Sequence, residues 1–247
     1  MSERKPGAED LSLPAIREQY QRLLQRLEAN EREFRRLGRS VLRVQEDERR
    51  RLARELHDGI GQNLTALQHR LSRIGSALPD DPPALRDHLE AAIALCRGAL
   101  DDTREMSRLL RPPILDDLGL EPALRWLARS QGEASKLSIA VEIEPLPELD
   151  GELQTLLFRI AQEALNNVAK HAQASNVLLR LVVRAGALQL QIADDGRGCD
   201  PALALRSGGS GLGGMRERLR LHGGRLELHS SAGNGARIRA VIPLDDN

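Results

Sequence analysis

The sequence predicts a two-part protein, a helical N-terminal half followed by an α+β sandwich, and three observations carry that expectation. Apolar residues recur at helical spacing from Ile16 to Leu78 and again over 84–111, strand-like alternation begins near Leu137, and prolines at 79, 82, 83, 112 and 113 fall between the helical stretches. Composition agrees: 40% of the 247 residues are hydrophobic and 36 Lys+Arg balance 36 Asp+Glu, which permits a packed core and gives no basic excess for holding nucleic acid or an anionic membrane. With 2% aromatic residues there is no platform for stacking single-stranded bases.

Residues 1–14 are polar and carry Pro6 and Gly7, so a disordered start is expected, with the helix beginning about Ala15. Over 15–47, Ile16, Leu23, Leu37 and Val44 recur every seven, with Tyr20, Leu27, Phe34 and Val41 as a companion row, the seam of a coiled coil. Asn30 interrupts the first row, as a register-fixing polar residue does in a two-stranded pairing. A helix packed within its own chain is the alternative, but the stripe is narrow for that. Past Val44 the spacing breaks, and Leu52, Leu56, Ile60 and Leu64 follow at steps of four, which changes the local supercoil. With Leu52, Leu56 and Ile60 facing a bundle core, two helices separated by LPDDPP form a hairpin within 48–130, and two such hairpins form a dimeric four-helix bundle. The sequence ILDDLGLEPALRWLARS adds a short helix on which Trp126 packs.

The second domain is expected over 137–247. Strands are read at 139–143, 176–184, 187–193, 225–230 and 236–242, with helices over 153–172 and 215–222. The longest apolar run, Ala91 to Cys96, is far short of a membrane span, and the first residues lack a signal-peptide core, so a cytoplasmic protein with reduced Cys96 and Cys199 is expected.

Candidate chemistry lies in three places. In ERRRLARELHDGIGQNL, His57 follows Leu56 and is turned about 100° from the apolar face, open to a partner domain, with Asp58 beside it and Gln62 five residues on. A surface His beside an Asp is ordinary by itself; paired with an acid it can also act as a nucleophile. In EALNNVAKHA, Glu163, Asn167 and Lys170 share one helix face, which suits magnesium and phosphate or is a solvated polar face. Finally, ADDGRGCD follows a strand and SGGSGLGGMRERL runs into a helix, where glycine-freed amides can wrap phosphates. Neither glycine cluster fits a P-loop or a dinucleotide fingerprint. The Arg49, Arg50, Arg51 and Arg54 run has Glu46, Asp47, Glu48 and Glu55 as helical partners, and His69, His88, His222 and His229 show no ligand spacing.

In this order the motifs resemble a two-component sensor histidine kinase, in particular the subfamily of the nitrate sensors and the desaturase thermosensor with its H-D-x-x-x-Q pattern, here His57-Asp58-Gly59-Ile60-Gly61-Gln62. The linker LRPPILDDLGLEPAL is also similar, and the likeness spans about residues 44–243. It implies a GHKL/Bergerat-type α/β sandwich that binds ATP and Mg2+. His57 would accept the γ-phosphoryl group, Asp58 would be its acid-base partner, and Gln62 would position water for dephosphorylation. Glu163 matches the acidic residue of the Asn box and Asn167 its magnesium ligand, with Lys170 and His171 near the phosphates. Asp194 would accept from the adenine amino group, Gly196 and Gly198 would let the chain pass close to the base, and Gly209, Gly211, Leu212 and Gly213 match the lid over the triphosphate. Two departures stand out: Gly235-Ala236 replaces the usual Gly-Thr, and the lid, roughly Cys199 to Ser210, is short and without Phe. The implied partners are a second copy of the chain, a response regulator receiver domain with helix-turn-helix output, and an upstream sensor protein. A signal entering the coil would shift docking of the ATP domain, with two packings competing between Val44 and Leu64. A GHKL-type serine kinase or ATPase, or a non-catalytic dimeric scaffold, are the competing readings.

Overall fold

The computed structural model describes residues 13–77, 83–201 and 210–244, so the disordered start expected before Leu13, the turn after Ala77 and Gly209 with most of the lid lie outside the described residues. The chain divides at Leu42 into two units. In the first, helix α1 (Leu13–Arg54) starts two residues earlier than expected. Its seam residues Tyr20, Leu27, Phe34 and Val41 are 55–68% exposed.

The second unit takes in the end of α1, then a π-helical segment (Glu55–Gly61), α2 (Gln62–Ala77) and α3 (Pro83–Leu110). The hairpin closes mostly on small residues: Ala53, Cys96, Thr103 and Ser107 are buried together with Leu100, Ser107 Oγ donates to the Ala53 carbonyl at 2.9 Å, and Cys96 Sγ donates to the Leu64 carbonyl at 3.3 Å. Leu52 and Ile60, expected to face the core of a two-chain bundle, are exposed in the single chain, whereas Ala53 and Gly61 are buried within the hairpin.

After Pro112 the linker forms α4 (Pro113–Asp117) and α5 (Leu120–Ser135), two helices where one was expected. Gly119, at φ +82, makes the break in a left-handed backbone that few other residues adopt. Strands β1 (Ser138–Ile143), β2 (Asn176–Arg184), β3 (Ala187–Asp194), β4 (Arg225–Ser230) and β5 (Ala236–Pro243) make one sheet in the order β1-β2-β3-β5-β4. Only the β1–β2 pair is parallel. Helix α6 (Gly151–Asn167) is capped by the Asp150 carboxylate, which accepts from the Leu153 amide at 2.7 Å, and a second π segment, Val168–Ala172, extends it. Helix α7 (Ser210–Leu221) begins five residues ahead of its expected start, taking Gly211, Gly213 and Gly214 into its first turns. Leu157, Phe158, Ile160, Leu165, Leu179, Leu190 and Leu219 are fully buried in the core joining α5, α6 and α7 to the sheet. Among the described residues, no helix is long and apolar enough to cross a membrane.

Candidate functional site

The last turns of α6, its π extension, the end of β3 and the start of α7 converge on a cavity of about 450 Å3. Glu163, Asn167, Lys170, His171, Asp194, Gly198, Gly211 and Leu212, distant in sequence, all line it. Apolar side chains of Val168, Leu228 and Ile238 form part of its wall, a surface suited to the face of a base. Ala236 and Cys199, noted in the sequence at the last glycine motif and the start of the lid, also line the cavity, as do Asn166, Arg197, Leu228 and Ile238, which sequence reasoning missed. For Asn166 a signal existed, since it adjoins Asn167, whereas Leu228 and Ile238 read only as strand core.

Asp194 is held by its own loop: Oδ1 accepts from the Gly196 amide at 2.9 Å and from the Ala236 amide at 3.3 Å. These bonds orient the carboxylate, leaving Oδ2 as the acceptor for a donor entering the cavity. Gly235, at φ +67, sits so close that a side chain there would overlap the Asp194 carbonyl. The neighbouring Asp195 faces away and ties down the start of β2. Its carboxylate accepts from the Asn176 amide at 2.9 Å, the Asn176 side chain at 2.8 Å and the Ser175 amide at 2.8 Å, which hold its pKa down to about 2. Two adjacent aspartates thus differ in job: Asp194 opens to the cavity and Asp195 staples the end of β3 to the start of β2. Gly196 is buried against the Ala172 backbone, and Gly213 is half-buried on α7 outside the cavity lining.

The phosphate end is set by a close approach. At Gly211 a methyl group would overlap the Glu163 carboxylate and stand 3.2 Å from the Asn167 side-chain nitrogen, so α7 starts against those two side chains only because residue 211 has none. A carboxylate and a carboxamide side by side under a glycine cradle form an oxygen donor set that fits magnesium, which takes few protein ligands and completes its shell elsewhere.

His57 lies on the first π segment and is exposed. It lines two cavities of the hairpin: one of about 420 Å3 shared with Gln62, Thr65 and Arg104, and one of about 480 Å3 shared with Asp58, Arg54, Arg111 and Asp116. Neither shares a residue with the cavity that contains Asn167. The structure therefore brings together His57 with Asp58 and Gln62, and separately Glu163 with Asn167 and Asp194.

These two sites define a class, a histidine-bearing helical hairpin joined to an ATPase-type sandwich, and the comparisons agree. Residues 48–115 match the family described as "Histidine kinase", and residues 152–246 match "Histidine kinase-, DNA gyrase B-, and HSP90-like ATPase". Sensor histidine kinase MctS of Rhizobium johnstonii is 36% identical over 214 residues, covering 85% of this chain and 46% of that protein. Signal transduction histidine-protein kinase/phosphatase UhpB of Salmonella typhimurium is 37% identical over 233 residues, covering 92% of this chain and 44% of its own length. The chain thus spans less than half the length of these curated relatives. Among solved structures, the histidine kinase domain of the Erythrobacter litoralis EL346 blue-light activated histidine kinase aligns at a TM-score of 0.48 and 19% identity, covering 74% of this chain and 94% of that one. The chain belongs to the two-component histidine kinases, in the nitrate-sensor subfamily, and its C-terminal domain is of the ATP-binding GHKL type.

Proposed function

We propose that this chain transfers the γ-phosphoryl group of ATP to His57 and passes it on to an aspartate of a response regulator. The observation that carries the reading is the single cavity into which Glu163, Asn167, Lys170, His171, Asp194 and Gly211 are gathered, in a chain that also exposes His57. Asp194 Oδ2 accepts from the adenine amino group against the apolar wall, and Lys170 and His171, on the π turn after Asn167, approach the phosphates. Magnesium, when bound by Asn167, supplies charge neutralisation at the triphosphate. Glu163 orients that end of the site. An imidazole nitrogen of His57 attacks the γ-phosphorus; the P–N bond forms as the bond to the ADP oxygen breaks, and Asp58 takes the ring proton. A receiver aspartate then attacks the phosphoramidate, returning His57 to its free form. Gln62, in the same cavity as His57, positions water for the reverse duty of dephosphorylating the regulator, a reading supported by the kinase/phosphatase name of UhpB.

The reading extends to a homodimer, to a regulator with helix-turn-helix output and to an upstream sensor protein. Support for the dimer comes from Ile60, Leu67 and Ile74, 46–52% exposed at near-heptad spacing on the hairpin. The free thiols Cys96 and Cys199 fit a reducing compartment such as the cytoplasm.

Incubation with γ-labelled ATP tests the assignment. We expect acid-labile, base-stable label on the wild type, absent in His57→Gln and Asn167→Ala. Acid-stable label would indicate a serine kinase, and nucleotide binding without label a scaffold; either result overturns the reading.

A further inference from the structure

Arg49, Arg50, Arg51 and Arg54 precede the phosphoacceptor on the last turns of α1, and three of them have carboxylate partners. Arg49 stands 3.6 Å from Glu46, whose carboxylate also takes Arg159 of α6 at 2.7 Å where the hairpin meets the sandwich. Arg51 pairs with Glu48 at 2.6 Å and with Glu55. Arg50 crosses to Asp116 of α4 at 3.1 Å. Arg54 is exposed and pairs with no carboxylate among the described residues. Its Nε reaches back to the Arg50 carbonyl at 3.4 Å, and its terminal nitrogens have no acceptor among those residues. The helical partners expected for the run therefore serve Arg49 and Arg51 but not Arg54.

Arg54 and His57, three residues apart across the change from α to π, line the same cavity of about 480 Å3, together with Asp58. Arg50 and Arg111 line it too, but both are engaged by Asp116. Arg111 holds that carboxylate through Nε at 3.2 and 3.1 Å and through a terminal nitrogen at 2.8 Å. Burial works to raise the Asp116 pKa, yet the Arg111 hydrogen bonds and the charges of Arg111, Arg50 and Arg54 hold it below the usual carboxylate value. The charge of Arg54 is thus already felt inside the cavity. A phosphoryl group on His57 carries about two negative charges, and the cavity also holds Asp58, Asp116 and Asp117. With Asp116 matched by its own arginines, Arg54 is the uncommitted cation among the described residues there. A guanidinium is permanently charged, and its parallel donors match phosphoryl oxygens.

We propose that Arg54 is a catalytic residue that binds the phosphoryl oxygens at His57, neutralising their charge as the group arrives and holding it until it leaves. The proposal rests on the kinase reading above and adds a residue to its transfer step. The bond from a His57 nitrogen to phosphorus forms as the bond to the ADP oxygen breaks, Asp58 takes the ring proton, and Arg54 donates hydrogen bonds without giving up a proton. Arg54 does not line the nucleotide cavity, so ATP affinity belongs to other residues.

The test uses the full chain with γ-labelled ATP and with phosphoramidate, a small phosphodonor that needs no nucleotide site. With phosphoramidate the His57 nitrogen attacks phosphorus, the P–N bond of the donor breaks, ammonia leaves with that electron pair and the ring proton passes to Asp58. Initial rates of His57 labelling are compared for wild type, Arg54→Gln, Arg54→Lys and Arg51→Gln, with melting curves to check folding and a fluorescent ATP analogue to measure affinity. We expect Arg54→Gln to label roughly ten- to hundred-fold more slowly with either donor, as when one hydrogen-bond donor is removed from a developing charge. Arg54→Lys, which keeps the charge and loses the fork, should fall between the two, Arg51→Gln should match wild type, and ATP affinity should hold throughout. A level rate in Arg54→Gln with both donors overturns the proposal. So does a loss with ATP alone, which assigns Arg54 to the meeting of the domains instead. Should ATP fail to label the wild type, the kinase reading fails and the phosphoramidate rates decide for Arg54; should phosphoramidate also leave His57 unlabelled, the proposal falls with it. Should Arg54→Gln not fold, Arg54→Met decides by the same rates.

Discussion

One methyl's worth of space decides much of the nucleotide site. Gly211→Ala adds one methyl where α7 meets Glu163 and Asn167, and overpacking of that kind costs about 1–3 kcal/mol of stability. The same change favours helix by about 1 kcal/mol, which offsets only part of that cost, so the melting temperature of the apo protein should hold or fall, and titration should show weaker ATP binding as Glu163 and Asn167 are pushed aside. Asp195 gives a pH prediction. Its folded pKa of about 2 lies below the model-compound value of 3.8, so its hydrogen bonds stabilise fully above about pH 4, and that contribution is lost as pH falls through the folded value. Urea midpoints measured from pH 6 down to pH 2 should drop in the wild type across that window, and Asp195→Asn should remove that component of the drop. The sequence showed two neighbouring aspartates and assigned the cavity role to the first. It could not show the staple made by the second, because that depends on where Ser175 and Asn176 cross the end of β3.

At the level of elements, both helices that carry reactive side chains turn from α to π where the chemistry sits: Glu55–Gly61 around His57, and Val168–Ala172 directly after Asn167. Wider turns disturb the backbone ladder, and neighbouring side chains take up what is freed. Ser107 does so from α3, its buried hydroxyl bonding the Ala53 carbonyl just ahead of the first π segment. Ser107→Ala should destabilise the hairpin by about 1 kcal/mol, measured by denaturant unfolding, with ATP affinity unaffected. The step-of-four run from Leu52 to Leu64 marked this place in the sequence but not its kind, since apolar spacing reports which residues recur and not which carbonyl each amide reaches. Strand positions were legible almost to the residue, because alternation in β2 and β3 coincides with the alternation of buried and exposed positions. The start of α7 was not: three glycines argue for a loop by propensity, and packing against Glu163 overrides that preference.

For the whole molecule, the exposed stripes on the hairpin and on α1 predict a pair of chains. Light scattering should give twice the 27.3 kDa chain mass, and Ile60→Lys combined with Leu67→Lys should bring it back to the single-chain value with loss of His57 labelling. The helical hairpin read easily from the apolar steps of three and four and the prolines between its helices, and the order of motifs was enough to expect the ATP-binding sandwich. The joint between hairpin and sandwich was not anticipated, although Arg159 within LLFRIAQ was a visible anomaly, a cation on an apolar face asking for a partner that local spacing does not supply.

That joint also sets how the molecule meets its surroundings. Ion pairs such as Arg51 with Glu48, each about half exposed, lie within reach of dissolved ions and weaken as salt rises. Glu46 and Arg159, at 13% and 5% exposure, are shielded from those ions. Raising the ionic strength should therefore disturb the exposed surface pairs and leave the Glu46–Arg159 pair in place.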